Sequence, residues 1–178
     1  PYGNHYIDQK DIDSVIKVLK SPFITQGPKI LETEKYIANY VGSKYAVLVS
    51  SCTAGLHISY KALNLESSSV TALSPITFVS TGNVNFYCGS KVVFSDIDED
   101  SLNLSPNILE KTINKKLGIK CVMPVHFGGV PCDMKKISSI VKKKKIKIIE
   151  DAAHAMGAKY KTGEKVGSCK YSDLTVFS

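Results

Sequence analysis

An acid and a histidine stand three residues apart in the segment "EDAAHAMGA", residues 150–158, with only alanines between them. The segment follows a short apolar run, "KIKII", which is typical of a buried strand. In parallel sheets, ligands bind beyond the carboxyl ends of the strands, so Asp151 and His154 are candidates for a binding or catalytic site. A cap of a following helix is an equally good role for Asp151, and packing is the ordinary role of a single histidine.

A second candidate is the segment "SSCTAG", residues 50–55, between a predicted strand and a predicted helix. Free backbone N–H groups at a helix start attract anions, and Thr53 adds a hydroxyl, so the segment predicts a phosphate site. It matches neither G-x-x-x-x-G-K-[ST] nor G-x-G-x-x-G, which removes the main support for nucleoside triphosphate or dinucleotide binding. The alternative is a tight turn in which Thr53 only caps the helix.

Three further groups follow strands: Phe78 in "SPITFVST", the "HFGG" turn at 126–129, and Ser178. The Phe78 ring would stack on a flat ligand at the rim, although a single phenylalanine is usually a core residue. The "HFGG" glycines would serve a plain turn. An anion site, a stacking ring and a carboxylate beside a histidine together suit pyridoxal phosphate, whose protonated ring nitrogen requires a fixed carboxylate. Asp151 would then hold the ring proton, with His154 near the ring substituents.

Alternating strands and helices must position these groups. Apolar spacing and chain breakers predict an opening helix at 8–20 and a second helix that follows "SPFITQGP" and ends at about 41. Further helices are predicted at 53–64, 78–87, 106–116 and 133–144. Strands are predicted at 45–50, 70–73, 92–97, 119–125, 146–150 and in the final "LTVFS". This order predicts a three-layer α/β/α domain with a mainly parallel sheet. We expect a helical segment at 1–44 and a large ligand-binding domain at 45–178.

The chain has 178 residues and a formal charge of +7, all of it from lysine because the sequence contains no arginine. Readers of DNA bases depend on arginine, so no nucleic-acid partner is predicted, and the run "VKKKKIK" is interpreted as the solvated end of a helix. No segment is apolar enough to span a membrane and no export signal is present, so we expect a cytoplasmic protein. Five scattered cysteines without a C-x-x-C pair predict neither a disulfide framework nor a metal site.

The chain resembles the DegT/StrS-type sugar aminotransferases, which have the aspartate-aminotransferase fold (fold type I). The resemblance runs from end to end, through "ITQGP", "SSCTAGLH", "SPITFVST", "FSDID", "PVHFGGVPCDM", "EDAAHAMGA" and "VGSCKYSDLTVFS". It implies pyridoxal phosphate as the cofactor and a homodimeric enzyme. By position in these motifs, Thr53 and Ala54 match the phosphate-binding turn, Phe78 an aromatic beside the ring, and Asp151 the partner of the ring nitrogen. His154 matches the neighbour of the ring hydroxyl.

The resemblance also implies a substrate pocket. Ser178 matches a serine that binds phosphate or substrate, and the positions that line the sugar-nucleotide pocket are Tyr2, Phe23, Ile24, Thr25 and Cys52. The opening "PYG", with "ITQGPK" and "VGSCKYSDLTVFS", most resembles family members of pseudaminic acid synthesis. These aminate C4 of a UDP-linked 4-keto-6-deoxy-N-acetyl-hexosamine, and the implied amino donor is an amino acid, glutamate.

In the family, "VFS" is followed by Phe-His-Pro-x-Lys, whose lysine links covalently to the cofactor as the Schiff-base lysine, whereas this chain ends at Ser178. The resemblance therefore implies a fragment that lacks this lysine and the smaller C-terminal domain, and that is inactive alone. Two alternatives stay open. One is a dehydratase-like member that lacks the lysine by nature and in which His154 does more of the proton transfer. The other is a binding or regulatory module without catalysis.

Overall fold

The computed structural model describes residues 4–115 and 117–178, so the predicted substrate residue Tyr2 lies outside the described part. Within it, six α-helices are α1 (Gln9–Leu19), α2 (Pro28–Val41), α3 (Cys52–Ala62), α4 (Val79–Tyr87), α5 (Pro106–Asn114) and α6 (Met134–Lys142). Five strands are β1 (Val70–Leu73), β2 (Lys91–Phe94), β3 (Ile119–Met123), β4 (Lys147–Asp151) and β5 (Leu174–Val176). Each helix lies within a few residues of its predicted position.

The five strands form one sheet in the order β2-β1-β3-β4-β5, and all four pairings are parallel. The connection through α5 carries the chain back past β1, so the direction of winding reverses between β1 and β3. Such a reversal opens a crevice at the carboxyl edge of the sheet, where ligands bind in doubly wound folds. The predicted parallel α/β architecture is confirmed.

Helices cover both faces of the sheet. One core cluster joins the sheet to α5 and α6 through residues such as Leu109 and Ile137, and the other joins it to α3 and α4 through Leu56 and Val84. Side chains alternate along β4, so Ile148 and Glu150 face α5 and α6, whereas Ile149 and Asp151 face α3 and α4. The last two residues of β4 thus send their carboxylates to opposite faces.

The predicted strand at 45–50 is wrong, because these residues belong to no strand of the sheet. The side chains of Tyr45 and Val47 are 73% and 76% exposed. An apolar pattern alone does not make a strand, since its backbone groups need a neighbouring strand, and no strand of the described residues pairs with 45–50. Leu48 N–H instead donates to Glu34 Oε1 at 2.9 Å.

Helix α1 is well capped but buries none of its residues among those described. Asp8 accepts hydrogen bonds from Lys10 N–H and Asp11 N–H, and Asp11 reaches back to Asp8 N–H, which completes a capping box. No α1 residue is buried. Its apolar side chains recur at the spacing of one helix face and are exposed: Ile12, Val15, Ile16 and Leu19. An amphipathic helix with an uncovered apolar face lacks the packing that normally stabilises it.

Candidate functional site

Asp151 is the last residue of β4, is 4% exposed, and lies at the carboxyl edge of the sheet. Its Oδ2 accepts a hydrogen bond from Thr81 Oγ1, on the first turn of α4, at 2.6 Å. Its Oδ1 accepts one from Ala153 N–H at 3.3 Å. These two donors fix the plane of the carboxylate and leave lone pairs on both oxygens, because a carboxylate offers about four acceptor sites.

Helix α3 packs against β4 and β5, and its Gly55 meets Val176 at the carboxyl end of β5, so the start of α3 lies at the same edge of the sheet as this carboxylate. Burial, followed by the negative charge of Asp151, raises the pKa of the Cys52 thiol to about 11. Cys52 therefore stays protonated at neutral pH and is a poor nucleophile. The predicted grouping of Asp151 with the "SSCTAG" segment at one rim is thus present in the structure.

Ser51, and not Thr53, is the cap of α3. Ser51 Oγ accepts the N–H of Ala54 at 3.1 Å, and Thr53 is the second residue of the helix, so the interpretation of Thr53 as a cap is wrong. The N–H groups of Cys52 and Thr53 have no carbonyl one turn earlier in the helix. These groups and the Thr53 hydroxyl are available to a phosphate. The Ala54 N–H would bind a phosphate only after losing its hydrogen bond to Ser51 Oγ.

Close packing holds α3 against the edge strand. A Cβ on Gly55 would lie 2.8 Å from Val176 Cγ1 and 3.3 Å from Val49 Cγ2. A side chain at this position would push the first turn of α3 away from β5, because real Cβ atoms do not approach so closely. The glycine of "SSCTAG" therefore sets the distance between the proposed phosphate site and the sheet.

A turn, and not a helix, follows Asp151, so the interpretation of this residue as a helix cap is wrong. Ala155 N–H donates to Ala152 O at 2.8 Å, which closes a turn with the exposed His154 at its corner. The alternative that His154 is a buried packing residue is also wrong. The "HFGG" segment packs against this turn. Gly129 has φ +85°, and a Cβ at this position would lie 2.6 Å from His154 O, so the close approach requires glycine.

Phe78 and Ser178 both lie at the carboxyl edge of the sheet and are exposed. Phe78 directly precedes α4, and its ring is 72% exposed, so it is not a core residue. Ser178 lies two residues beyond β5. The positions of both residues are compatible with contact to a ligand above the rim.

Three of the residues predicted to line a sugar pocket lie outside the segments that follow the strands of the sheet. Phe23, Ile24 and Thr25 are exposed in the loop between α1 and α2. Ile24 helps to line a cavity of about 370 Å³ with the α1 residues Val15 and Leu19. No hydrogen bond among the described residues joins this loop to Asp151. The structure therefore brings Cys52, but not these three residues, to the carboxylate.

Sequence reasoning missed a buried network behind the rim, around Glu150, which is 0% exposed. Its Oε2 lies 2.8 Å from His126 Nε2 and accepts from Tyr160 OH at 2.8 Å. Its Oε1 accepts from Thr175 Oγ1 at 3.1 Å and from Ser172 Oγ. Four side chains thus donate to one buried carboxylate, which offsets the cost of removing its charge from water.

His126 links this network to Asp151. Cys132 N–H donates to His126 Nδ1 at 3.1 Å, so His126 Nε2 carries the proton that points at Glu150. The backbone N–H of His126 donates to Asp151 O at 3.0 Å. Burial raises the pKa of Glu150, but the hydrogen bonds from His126, Ser172 and Tyr160 outweigh it and hold this pKa below its usual value. Burial and the charge of Glu150 raise the pKa of Tyr160, which therefore stays a donor.

A three-layer α/β domain with a fixed carboxylate, a helix start and an exposed ring at one rim defines the class: the large domain of a fold type I pyridoxal-phosphate enzyme. The residues fit the cofactor, since Asp151 keeps free lone pairs for a pyridinium N–H and α3 offers free N–H groups for a phosphate. A model of the DegT/DnrJ/EryC1/StrS aminotransferase family matches residues 5–178, and the chain belongs to this family. The cofactor of the family is pyridoxal phosphate.

Known proteins give the same assignment. A UDP-4-amino-4,6-dideoxy-N-acetyl-beta-L-altrosamine transaminase of Campylobacter jejuni is 40% identical over 178 residues, which covers 99% of this chain and 46% of that protein. Helicobacter pylori PseC, an aminotransferase of pseudaminic acid biosynthesis, superposes with a TM-score of 0.90 at 30% identity, over 100% of this chain and 47% of that one. The PLP form of the Streptococcus pneumoniae sugar aminotransferase Spr1654 superposes with a TM-score of 0.89 at 28% identity, over 97% of this chain and 47% of that one. The chain spans about half the length of the relatives it matches.

No group of three or more histidine, cysteine, aspartate or glutamate side chains is arranged to hold a metal ion in residues 4–115 and 117–178. In the same residues, no helix is both long and apolar enough to cross a membrane. All five cysteines are free thiols.

Proposed function

We propose that the gene product carrying this chain is a pyridoxal-phosphate-dependent transaminase. It transfers an amino group from an amino acid, glutamate by family resemblance, to C4 of a UDP-linked 4-keto-6-deoxy-N-acetyl-hexosamine, for the synthesis of pseudaminic acid or a related surface sugar. The observation that carries the proposal is the buried Asp151 carboxylate, fixed by Thr81 beside the start of α3. Similarity to the Campylobacter and Helicobacter enzymes supports the choice of substrate.

Each residue of the rim has a defined task in this proposal. Asp151 accepts the ring N–H and stabilises its positive charge. Thr53 and the N–H groups at the start of α3, with Ala54, hold the phosphate. Phe78 covers one face of the ring, and His154 lies beside the ring hydroxyl. When bound, the cofactor carries the amino group from donor to acceptor.

Ser178 binds phosphate or substrate in this proposal, and Cys52 contributes its protonated thiol to the wall of the sugar pocket. Tyr2 and the loop residues Phe23, Ile24 and Thr25 complete that wall. The loop is exposed between α1 and α2, and by family resemblance we expect it to serve a site that is assembled with a second copy of the protein.

A second copy also accounts for α1, whose apolar face is uncovered in the described residues. A homodimer that buries this face would supply the packing that α1 lacks. The cytoplasm remains the predicted compartment.

The covalent lysine is expected outside residues 1–178. Three of the lysines near the end of the chain have partners elsewhere: Lys165 Nζ donates to Tyr40 O at 2.9 Å, Lys170 pairs with Glu164, and Lys147 pairs with Asp173. An ammonium that is paired and solvated stays protonated, which makes it a poor nucleophile. These three lysines are therefore poor candidates for the covalent residue, and by family resemblance we expect residues 1–178 alone to be inactive.

The test is to incubate the purified full gene product with pyridoxal phosphate, glutamate and the UDP-keto sugar, and to identify the product by mass and NMR. A 4-amino sugar supports the proposal. A sugar that has lost a hydroxyl without gaining nitrogen supports the dehydratase-like alternative, and no conversion with cofactor bound supports the binding module. Borohydride reduction and digestion then locate the modified lysine. A stoichiometric adduct within residues 1–178 would contradict the expected place of that lysine.

A further inference from the structure

Two threonines that follow β1 form a chain of hydrogen bonds to Asp151. Thr77 Oγ1 donates to Thr81 Oγ1 at 2.8 Å, and Thr81 Oγ1 donates to Asp151 Oδ2 at 2.6 Å. Thr81 is 0% exposed, and 70 residues separate it from Asp151. Nothing in the catalytic assignment uses either hydroxyl. The two hydroxyls nevertheless form a continuous chain of hydrogen bonds that ends on the carboxylate expected to meet the cofactor.

The direction of this chain follows from counting protons. A threonine hydroxyl has one proton to donate and lone pairs that accept. Because the Asp151 carboxylate can only accept, the single Thr81 proton goes to Asp151, and Thr77 must donate to Thr81. Hydrogen bonds in such a chain polarise one another, so the bond to the carboxylate is strengthened by the bond behind it. A short O–H···O⁻ contact of 2.6 Å agrees with a charge-assisted bond.

The helix holds Thr81 in one place. Its N–H donates to Phe78 O at 3.1 Å, and its carbonyl accepts from Asn85 Nδ2 at 3.0 Å, where Asn85 is itself 0% exposed. The branched side chain of threonine also restricts rotation about χ1. Thr81 Oγ1 is therefore a fixed point against which the Asp151 carboxylate is oriented.

We propose that Thr81 is a positioning residue for the cofactor, supported by Thr77: it locks the Asp151 carboxylate in the plane that receives the ring N–H. This inference rests on the proposed function. Without the Thr81 hydroxyl, the carboxylate would keep only its 3.3 Å bond from Ala153 N–H on the protein side and would rotate out of line. The contact between Asp151 and the ring nitrogen would then weaken, whereas the contacts to the phosphate and to the face of the ring would not.

The experiment measures equilibrium binding of pyridoxamine phosphate, which needs no covalent lysine, to the full gene product. Its 1-deaza analogue, in which C–H replaces the ring nitrogen, is the second ligand. Thr81→Val should weaken pyridoxamine phosphate binding roughly tenfold, the loss of one hydrogen bond to a charged group. The same variant should bind the deaza analogue as wild type does. Thr81→Ser, which keeps the hydroxyl, should restore binding to within about threefold.

Two further variants complete the design. Thr77→Val should weaken pyridoxamine phosphate binding about two- to fivefold, as expected for a neutral hydrogen bond one step away, again without effect on the analogue. This variant tests the inference even where Thr81→Val does not fold. Thr112→Val is the matched control, because Thr112 is a buried helical threonine on α5, which covers the sheet face opposite to Thr81, and its hydroxyl bonds to Ile108 O at 3.0 Å. It should leave both affinities unchanged.

Equal binding of pyridoxamine phosphate by wild type and by the Thr81 and Thr77 valine variants would overturn the inference. Equal losses for pyridoxamine phosphate and its deaza analogue would also overturn it, because they would indicate general damage to the site. Failure of the wild-type protein to bind pyridoxamine phosphate is a separate result. It would contradict the proposed function, and the inference would fail with it.

Discussion

The carboxylate of Glu150 stabilises the end of β4, so Glu150→Gln should destabilise this strand. The four side-chain donors, His126, Tyr160, Ser172 and Thr175, now bond to a charge. In the variant the amide nitrogen fits only at the Oε1 position, where the hydroxyls of Ser172 and Thr175 can turn to accept. At the Oε2 position it would face the His126 proton, whose place is fixed by the Cys132 N–H.

The magnitude follows from comparing charged with neutral hydrogen bonds. Each bond to a charged group contributes about 1.5–3 kcal/mol and each neutral bond about 0.5–1.5 kcal/mol, so four bonds lose about 4–6 kcal/mol in total. Burying an amide in place of a carboxylate returns part of this loss, because a neutral group is less costly to desolvate. We expect a net loss of about 2 kcal/mol in the free energy of the opening that exposes the β4 amides to exchange.

The assay is native-state hydrogen exchange of the β4 amides in the full gene product, compared with the exposed control Glu110→Gln. The pKa of Glu150 is lowered in the folded protein. Its contribution is therefore present above the unfolded pKa of about 4.3 and is lost as the pH falls through the folded value. The difference between wild type and Glu150→Gln should be largest near neutral pH and shrink below about pH 4. A difference below about 0.5 kcal/mol, or one independent of pH, would refute the reasoning.

Two other substitutions test the rim. Gly129→Ala should displace the turn that carries His154, because the new Cβ would lie 2.6 Å from His154 O at a residue with φ +85°. We expect kcat to fall, with little change in stability outside this turn. An unchanged kcat would contradict the role of the turn. Thr53→Val should weaken pyridoxamine phosphate binding by about 1–3 kcal/mol through a lost hydrogen bond to the phosphate, as measured by calorimetry, and an unchanged dissociation constant would place the phosphate elsewhere.

The sequence predicted those parts of the fold that depend on local patterns. Helix positions and the parallel sheet followed from apolar spacing and breakers, and Asp151 was placed correctly because a strand end is a local signal. The strand predicted at 45–50 is wrong because a strand forms only where a neighbouring strand, distant in sequence, pairs with it. The Thr81 contact spans 70 residues, so no local pattern reveals it. Glu150 left a signal that went unused: an acid inside a strand expected to be buried on both faces requires several donors.

The central claim is that the Asp151 carboxylate holds the protonated ring nitrogen of the cofactor. The most direct measurement is the nitrogen NMR shift of pyridoxamine phosphate labelled at the ring nitrogen and bound to the full gene product, followed as a function of pH. Wild type should keep the ring nitrogen protonated far above the pH at which the free ligand loses its proton, and Asp151→Asn should not, because an amide cannot stabilise the positive charge. The same titration of the bound ligand in both proteins would contradict the claim.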